Sequence, residues 1–202
     1  MTAFRGFGVG VILLIVILAV TNSAHVGFAQ QAGKIRWDIV TFTSFSPPSF
    51  KEGGVAVASA TDGSLIKLTG SGTFGPGESD PVTGGGTWET FDVSNKSTGS
   101  GKYTVTGLVS FQQAPGTLPP AIKDQIGQNA DARAGLAVLR TAYANTDGSA
   151  GGTGILVVSC HLPVDSPHEI FEGVIASKGF VTYFNRVLTM PGVDANRTAF
   201  HR

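Results

Sequence analysis

The chain has 202 residues, 14 basic against 14 acidic side chains, and one cysteine, Cys160. Nothing basic clusters, which excludes nucleic acid as a partner, because duplex binding needs several Lys or Arg facing phosphates. A lone cysteine excludes an internal disulfide, so stability must come from the core, and no polybasic segment addresses an anionic membrane surface.

At the N-terminus, Arg5 is the only charged side chain before an apolar run from Val9 to Val20. A polar stretch, Thr21 to His25, and a small-x-small site at Gly27-Phe28-Ala29 follow. This is the layout of a cleaved signal peptide over 1–29. The run is short of the ~20 residues that cross a bilayer, so no stable membrane span is expected after cleavage; a retained anchor is the alternative. The expected location is secreted, periplasmic or in the cell envelope. The remaining 30–202 is enough for one domain, and it holds 24 of the 28 glycines, twice the usual frequency.

Those glycines, with Pro, Asn and Asp, punctuate short runs of Val, Ile, Thr and aromatics, which reads as strands joined by turns. Ile35 to Ile39 alternates and then shifts register at Val40, as a β-bulge would make it do. Val55–Ala60 and Ser64–Thr69 flank Asp62-Gly63, a strong hairpin signal. Thr87–Val93 carries Trp88. Lys102–Gln112 alternates cleanly, with Tyr103, Val105, Val109 and Phe111 on one face. Pro120–Ile126 reads as a short helix, with Ile122 and Ile126 on one face and Gly127 at its end. Ala132–Ala144 and Gly154–Leu162 flank a hairpin loop at 145–152, and Glu169–Lys178 begins the last strand. Its continuation, with Phe180, Phe184, Val187 and Leu188, fits helical spacing as well as a strand. The expected fold is all-β: an antiparallel barrel of about eight strands over 30–190, or a sandwich, with at most one or two short helices. Residues 191–202 have no periodicity and are expected to fray as a flexible tail.

Several motifs dissolve on inspection. Gly70–Gly75 matches G-x-G-x-x-G, but Pro76-Gly77 follows where a dinucleotide site needs a helix. Ser64–Lys67 matches S-x-x-K, but in a strand residues three apart point to opposite faces. There is no G-x-S-x-G elbow and no H-E-x-x-H helix. His161, Asp165, His168, Glu169 and Glu172 crowd one segment, yet such a polar turn is ordinary hairpin composition, and no metal or other cofactor is expected. Cys160 sits in an apolar run and reads as a small buried hydrophobe.

The best candidate chemistry is His161 with Glu172. Register between their two strands decides whether Glu172 faces His161 or Cys160. An inward His beside a carboxylate would suit general acid–base work, with Arg140 (or Arg133) orienting an anionic group. The alternative is a satisfied polar cluster at the barrel rim. Trp88, Tyr103, Phe111 and Phe171 are strand aromatics of which one or two, lining a pocket, would suffice to bind an apolar ligand. Asn95 and Asn196 each open a glycosylation sequon.

The segments SGKYTVTGLVSFQQAPG (100–116), ARAGLAVLRTAY (132–143) and VVSCHLP…FEGVIASKGFVTY (157–183) resemble a family of uncharacterised bacterial secreted proteins over most of the mature chain. That resemblance implies class and location but no chemistry. The glycine-punctuated strands GSGTF and GGGTW are similar to the small β-barrels of allene oxide cyclases and dirigent proteins, which hold or steer an apolar substrate in the barrel cavity. No catalytic residue carries across. Three readings follow: a secreted barrel binding a small, largely apolar molecule; an isomerase, cyclase or hydrolase on the same scaffold, using His161, Glu172 and Arg140; and a structural or surface-interaction module without ligand. A ligand-sized cavity separates the first two from the third.

Overall fold

The computed structural model describes residues 33–75, 77, 80–187 and 196–202; the expected signal peptide lies outside them. The described residues are all-β, with no α-helix and a single 3₁₀ turn at Asn129–Asp131. Fourteen strands form one sheet that is antiparallel except for a single two-residue parallel pairing. They are β1 (Ile35–Phe45), β2 (Pro48–Glu52), β3 (Ala56–Ser59), β4 (Leu65–Leu68), β5 (Ser71–Phe74), β6 (Thr83–Phe91) and β7 (Ser97–Ala114). The second half supplies β8 (Lys123–Asp124), β9 (Ala132–Asn145), β10 (Ala150–Cys160), β11 (Gly173–Lys178), β12 (Val181–Tyr183), β13 (Asn185–Val187) and β14 (Arg197–His201).

The ladders run round a ring. β1 pairs with β5, β5 with β6, β6 with β7, β7 with β9, β9 with β14, and β14 with β1 again. Two arms leave it: β10–β11–β12 from β9, and β4–β3–β13 from β6. The hairpin expected at Asp62-Gly63 joins β3 to β4, with Gly63 at φ 86. The glycines expected to punctuate strands do so by letting chains approach closely. A Cβ on Gly72 would collide with the carbonyl oxygen of Thr83, and one on Gly86 with that of Thr69.

Four expectations are corrected. In β1 the register shift falls between Phe42 and Ser44, not at Val40; Ile39 and Val40 are both buried because both faces of the strand are covered. In β7 two register shifts, after Val105 and after Leu108, break the simple alternation. Leu108 is therefore the buried residue beside Val105, and Val109 is only half-buried. Residues 120–126 are not helical. Asp124 accepts from the main-chain N–H groups of Ile126 and Gly127, and Asn129 donates to the carbonyls of Pro119 and Ile122. These side chains offer the backbone an alternative to the helix, while Ile122 and Ile126 still pack on the core. The ambiguous stretch after Lys178 forms β12 and β13 up to Val187, and Leu188 lies outside the described residues.

The fourth correction is the tail. Residues 191–195 lie outside the described set, but 197–201 form β14, buried from Thr198 to His201 and paired residue by residue with Val40–Arg36. Just before it, Asn196 sits fully buried at φ 48. Its amide donates to Val57 O at 2.8 Å and Val187 O at 2.9 Å, and its carbonyl accepts from Val174 N at 3.3 Å. One side chain thus stitches β3, β13 and β11. Asn196→Asp puts a carboxylate against two carbonyls, and a loss of about 3 kcal/mol or more is expected in urea unfolding; Asn95→Asp, on an exposed turn, should change little.

Candidate functional site

The ring interior is filled by side chains. Trp37, Ile39, Phe74 and Phe200 are fully buried there, and Phe111 packs 5.0 Å from Phe74 and 5.3 Å from Phe200 between ring centroids. A second cluster joins Trp88, Tyr103 and Tyr143 at 6.0–6.1 Å. Its polar atoms are already used: the Trp88 indole N–H donates to Lys102 O and Ala144 O, and the Tyr103 hydroxyl to Thr69 O. Phe171 lies apart, half-buried, with the Arg186 guanidinium 6.0 Å over its ring. The four aromatics expected to contact a ligand are therefore packing residues of three separate neighbourhoods, and they do not line one cavity.

Glu172 is the most constrained polar residue. The β10–β11 register pairs Ser159 with Gly173, which sets Glu172 across from Cys160. Its carboxyl nonetheless reaches His161, through the main chain: Oε2 accepts from His161 N at 2.6 Å and Oε1 from Thr198 N at 2.7 Å. Alongside, the Thr198 hydroxyl donates to Ser159 O and the Ser159 hydroxyl to Phe171 O. Burial pushes the Glu172 carboxyl up to about 7, against the pull of the two N–H groups and of Arg197. The Arg140 proposed to orient a substrate is elsewhere. It is exposed between buried Leu139 and Thr141 and pairs with Ile155, six residues before His161, roughly 20 Å along the strand. Arg133 donates to its own neighbourhood, Ala130 O and Ala132 O. No three of the His, Cys, Asp and Glu side chains among the described residues gather closely enough to hold a metal ion.

Burial, and secondarily the charge of Glu172, pushes the Cys160 thiol well up, and the thiolate is the reactive form. Cys160 should therefore resist a thiol-specific chromogenic reagent in the native protein and react fully in denaturant; fast native labelling would overturn that placement.

A half-open cavity of about 90 Å³ lies beside Glu172, on the outward face of β14. On β14, Arg197, Ala199 and His201 share this face, with Val40 of β1 across from Arg197. The 118–131 segment supplies Leu118 and Ile122, β1 and β2 supply Phe42 and Phe50, and the end of β10 leads into His161 and Leu162. Outside, the exposed Phe45 ring stacks on Phe42 at 5.2 Å and 12°, extending the apolar rim. An ion pair and a hydrogen bond hold this region together. Arg36 grips buried Asp38 with two 2.8 Å bonds, and Asp124 Oδ2 meets His201 Nε2 at 2.6 Å, tying the 118–131 segment to β14. His201 Nδ1 is buried without a partner. His161 and Arg197 both line the cavity; neither side chain has a hydrogen-bond partner among the described residues, and the charge of Arg197 acts on the Glu172 carboxyl.

A larger open groove of about 620 Å³ crosses β4, β6 and β7 near Trp88, but six of its polar side chains are matched in pairs. Lys67 pairs with Glu89 at 2.7 Å, Thr69 with Thr87 at 2.7 Å and Ser100 with Thr146 at 3.1 Å. Comparison with family models, curated proteins and solved structures finds no match to this chain.

Proposed function

We propose that this is an exported domain that binds a small, largely apolar molecule, and that the molecule sits outside the ring, in the cavity between β14 and the 118–131 segment. The observation that carries this reading is the cavity itself: apolar walls from Val40, Phe42, Phe50, Leu118 and Leu162, with His161 and Arg197 on the lining, whose side chains have no hydrogen-bond partner among the described residues. Its volume is well below the ~300 Å³ of a drug-sized pocket and below the ~150 Å³ of an engineered cavity that admits benzene. The occupant is thus a short or branched alkyl group, or a ring only partly inserted, with the rest of the molecule lying over Phe42 and Phe45.

The acid–base reading of His161 and Glu172 is less well supported, since both carboxyl oxygens of Glu172 are committed to main-chain N–H groups. The packed ring interior favours the module without ligand as the second reading. Fluorine NMR of fluorobenzene and of a fluorinated short-chain alcohol against increasing protein decides between them. Saturable binding that disappears in Ala132→Leu, which fills the cavity, supports the proposal, provided the variant keeps its thermal transition. Absence of saturable binding up to the solubility limit of both probes leaves the structural module.

A further inference from the structure

The polar end of the cavity points to the charge of what enters it. Resting on the binding site just proposed, we infer that the ligand is an acid: a small apolar monocarboxylate whose tail enters the cavity and whose carboxylate lies between the Arg197 guanidinium and the His161 imidazole. Arg197 is exposed and shares a strand face with Ala199, which lies on the cavity lining. A guanidinium offers paired N–H donors matched to a carboxylate. His161, also on the lining, can supply a further ring donor, its own N–H on the main chain being already held by Glu172.

Among the described residues, the neighbouring charged groups are already engaged. Arg186, the next cation, donates to Glu172 O at 2.7 Å and lies over Phe171. The carboxylates of Asp38 and Asp124 are engaged by Arg36 and His201. Glu172 turns both oxygens to the main chain and presents neither to the ligand. The side chains of Arg197 and His161 therefore border a largely apolar chamber in which main-chain N–H groups already hold the Glu172 oxygens, and His201 Nδ1 is the neighbouring polar atom left without a partner. An alcohol or amide of the same shape would fill the chamber but would lose the charged bonds.

The test is a calorimetric titration of matched pairs, phenylacetate with benzyl alcohol and 3-methylbutanoate with 3-methylbutanol, against the wild type, Arg197→Gln and Ala132→Leu. Each acid is expected to bind the wild type at least about tenfold more tightly than its alcohol. In Arg197→Gln that preference should vanish while the alcohol binds as before. The exposed position of Arg197 makes it safe for the fold, which an unchanged urea midpoint would establish. An acid that binds no better than its alcohol, or a preference that survives Arg197→Gln, overturns the carboxylate assignment and leaves the cavity reading standing. Failure of all four compounds on the wild type overturns the cavity reading itself.

Discussion

Replacing Phe200 by alanine is expected to lower the unfolding free energy by about 3–5 kcal/mol in urea denaturation, the range for removing a fully buried aromatic ring. Phe200 projects from β14 into the ring interior, edge-on to Phe74 at 6.2 Å and to Phe111 at 5.3 Å. Removing it empties the meeting point of three strands, and β1, β5 and β7 are hydrogen-bonded to neighbours that cannot easily close over the gap. Phe200→Leu, which retains most of the volume, should lose no more than about 1.5 kcal/mol. Equal and small losses in both variants would mean that β14 lies on the ring without closing it.

The second large effect is pH-dependent and belongs to Glu172. In the unfolded chain its carboxyl titrates at the ordinary 4.5, and in the folded chain at about 7. Between these values the folded protein holds a proton that the unfolded chain has released. Unfolding free energy therefore falls as pH rises through this window, by about 3 kcal/mol in all. The contribution is fully present below pH 4.5 and gone above pH 7. Glu172→Gln cannot titrate; it keeps one acceptor for the two N–H groups and turns an NH₂ toward the other, a loss of about 1–3 kcal/mol. The wild type should be the more stable protein near pH 4.5, and its lead should shrink by about 3 kcal/mol by pH 8. Parallel pH profiles for the two proteins would show instead that the two short N–H bonds keep Glu172 ionised throughout.

What could be read from the sequence was what local chemistry controls. Asp62-Gly63 announced its hairpin because that turn needs positive φ, and the 145–152 loop because its flanking runs are long and β-rich. In β9 Leu139 and Thr141 are buried and Arg140 is exposed, and a place on the preceding strand could not say how far Arg140 lies from His161. That depends on register, which is set by the whole β9–β10 ladder. The burial of Ile122 and Ile126 was legible and their conformation was not, because Asp124 and Asn129 capture the backbone there. The candidate site was half visible: His161 and Glu172 do come together, main chain to side chain. Arg197 and His201 were missed because Arg-Thr-Ala-Phe-His has too few β-branched residues to stand out. Its apolar members alternate only once a partner strand defines two faces, and the partner is at the other end of the chain.

That partnership sets a timetable for the molecule. Arg36 pairs with His201, 165 positions downstream, so the edge of β1 that carries Asp38 and Ile39 has no ladder to join until almost everything between has been synthesised. A chain emerging vectorially, from a ribosome or a translocation pore, would hold Trp37 and its neighbours exposed through that interval. Closing so distant a contact is slow because the loop entropy is met before the contacts reward it. A fold that cannot lock early stays threadable late, which is what the export proposed for this chain would require.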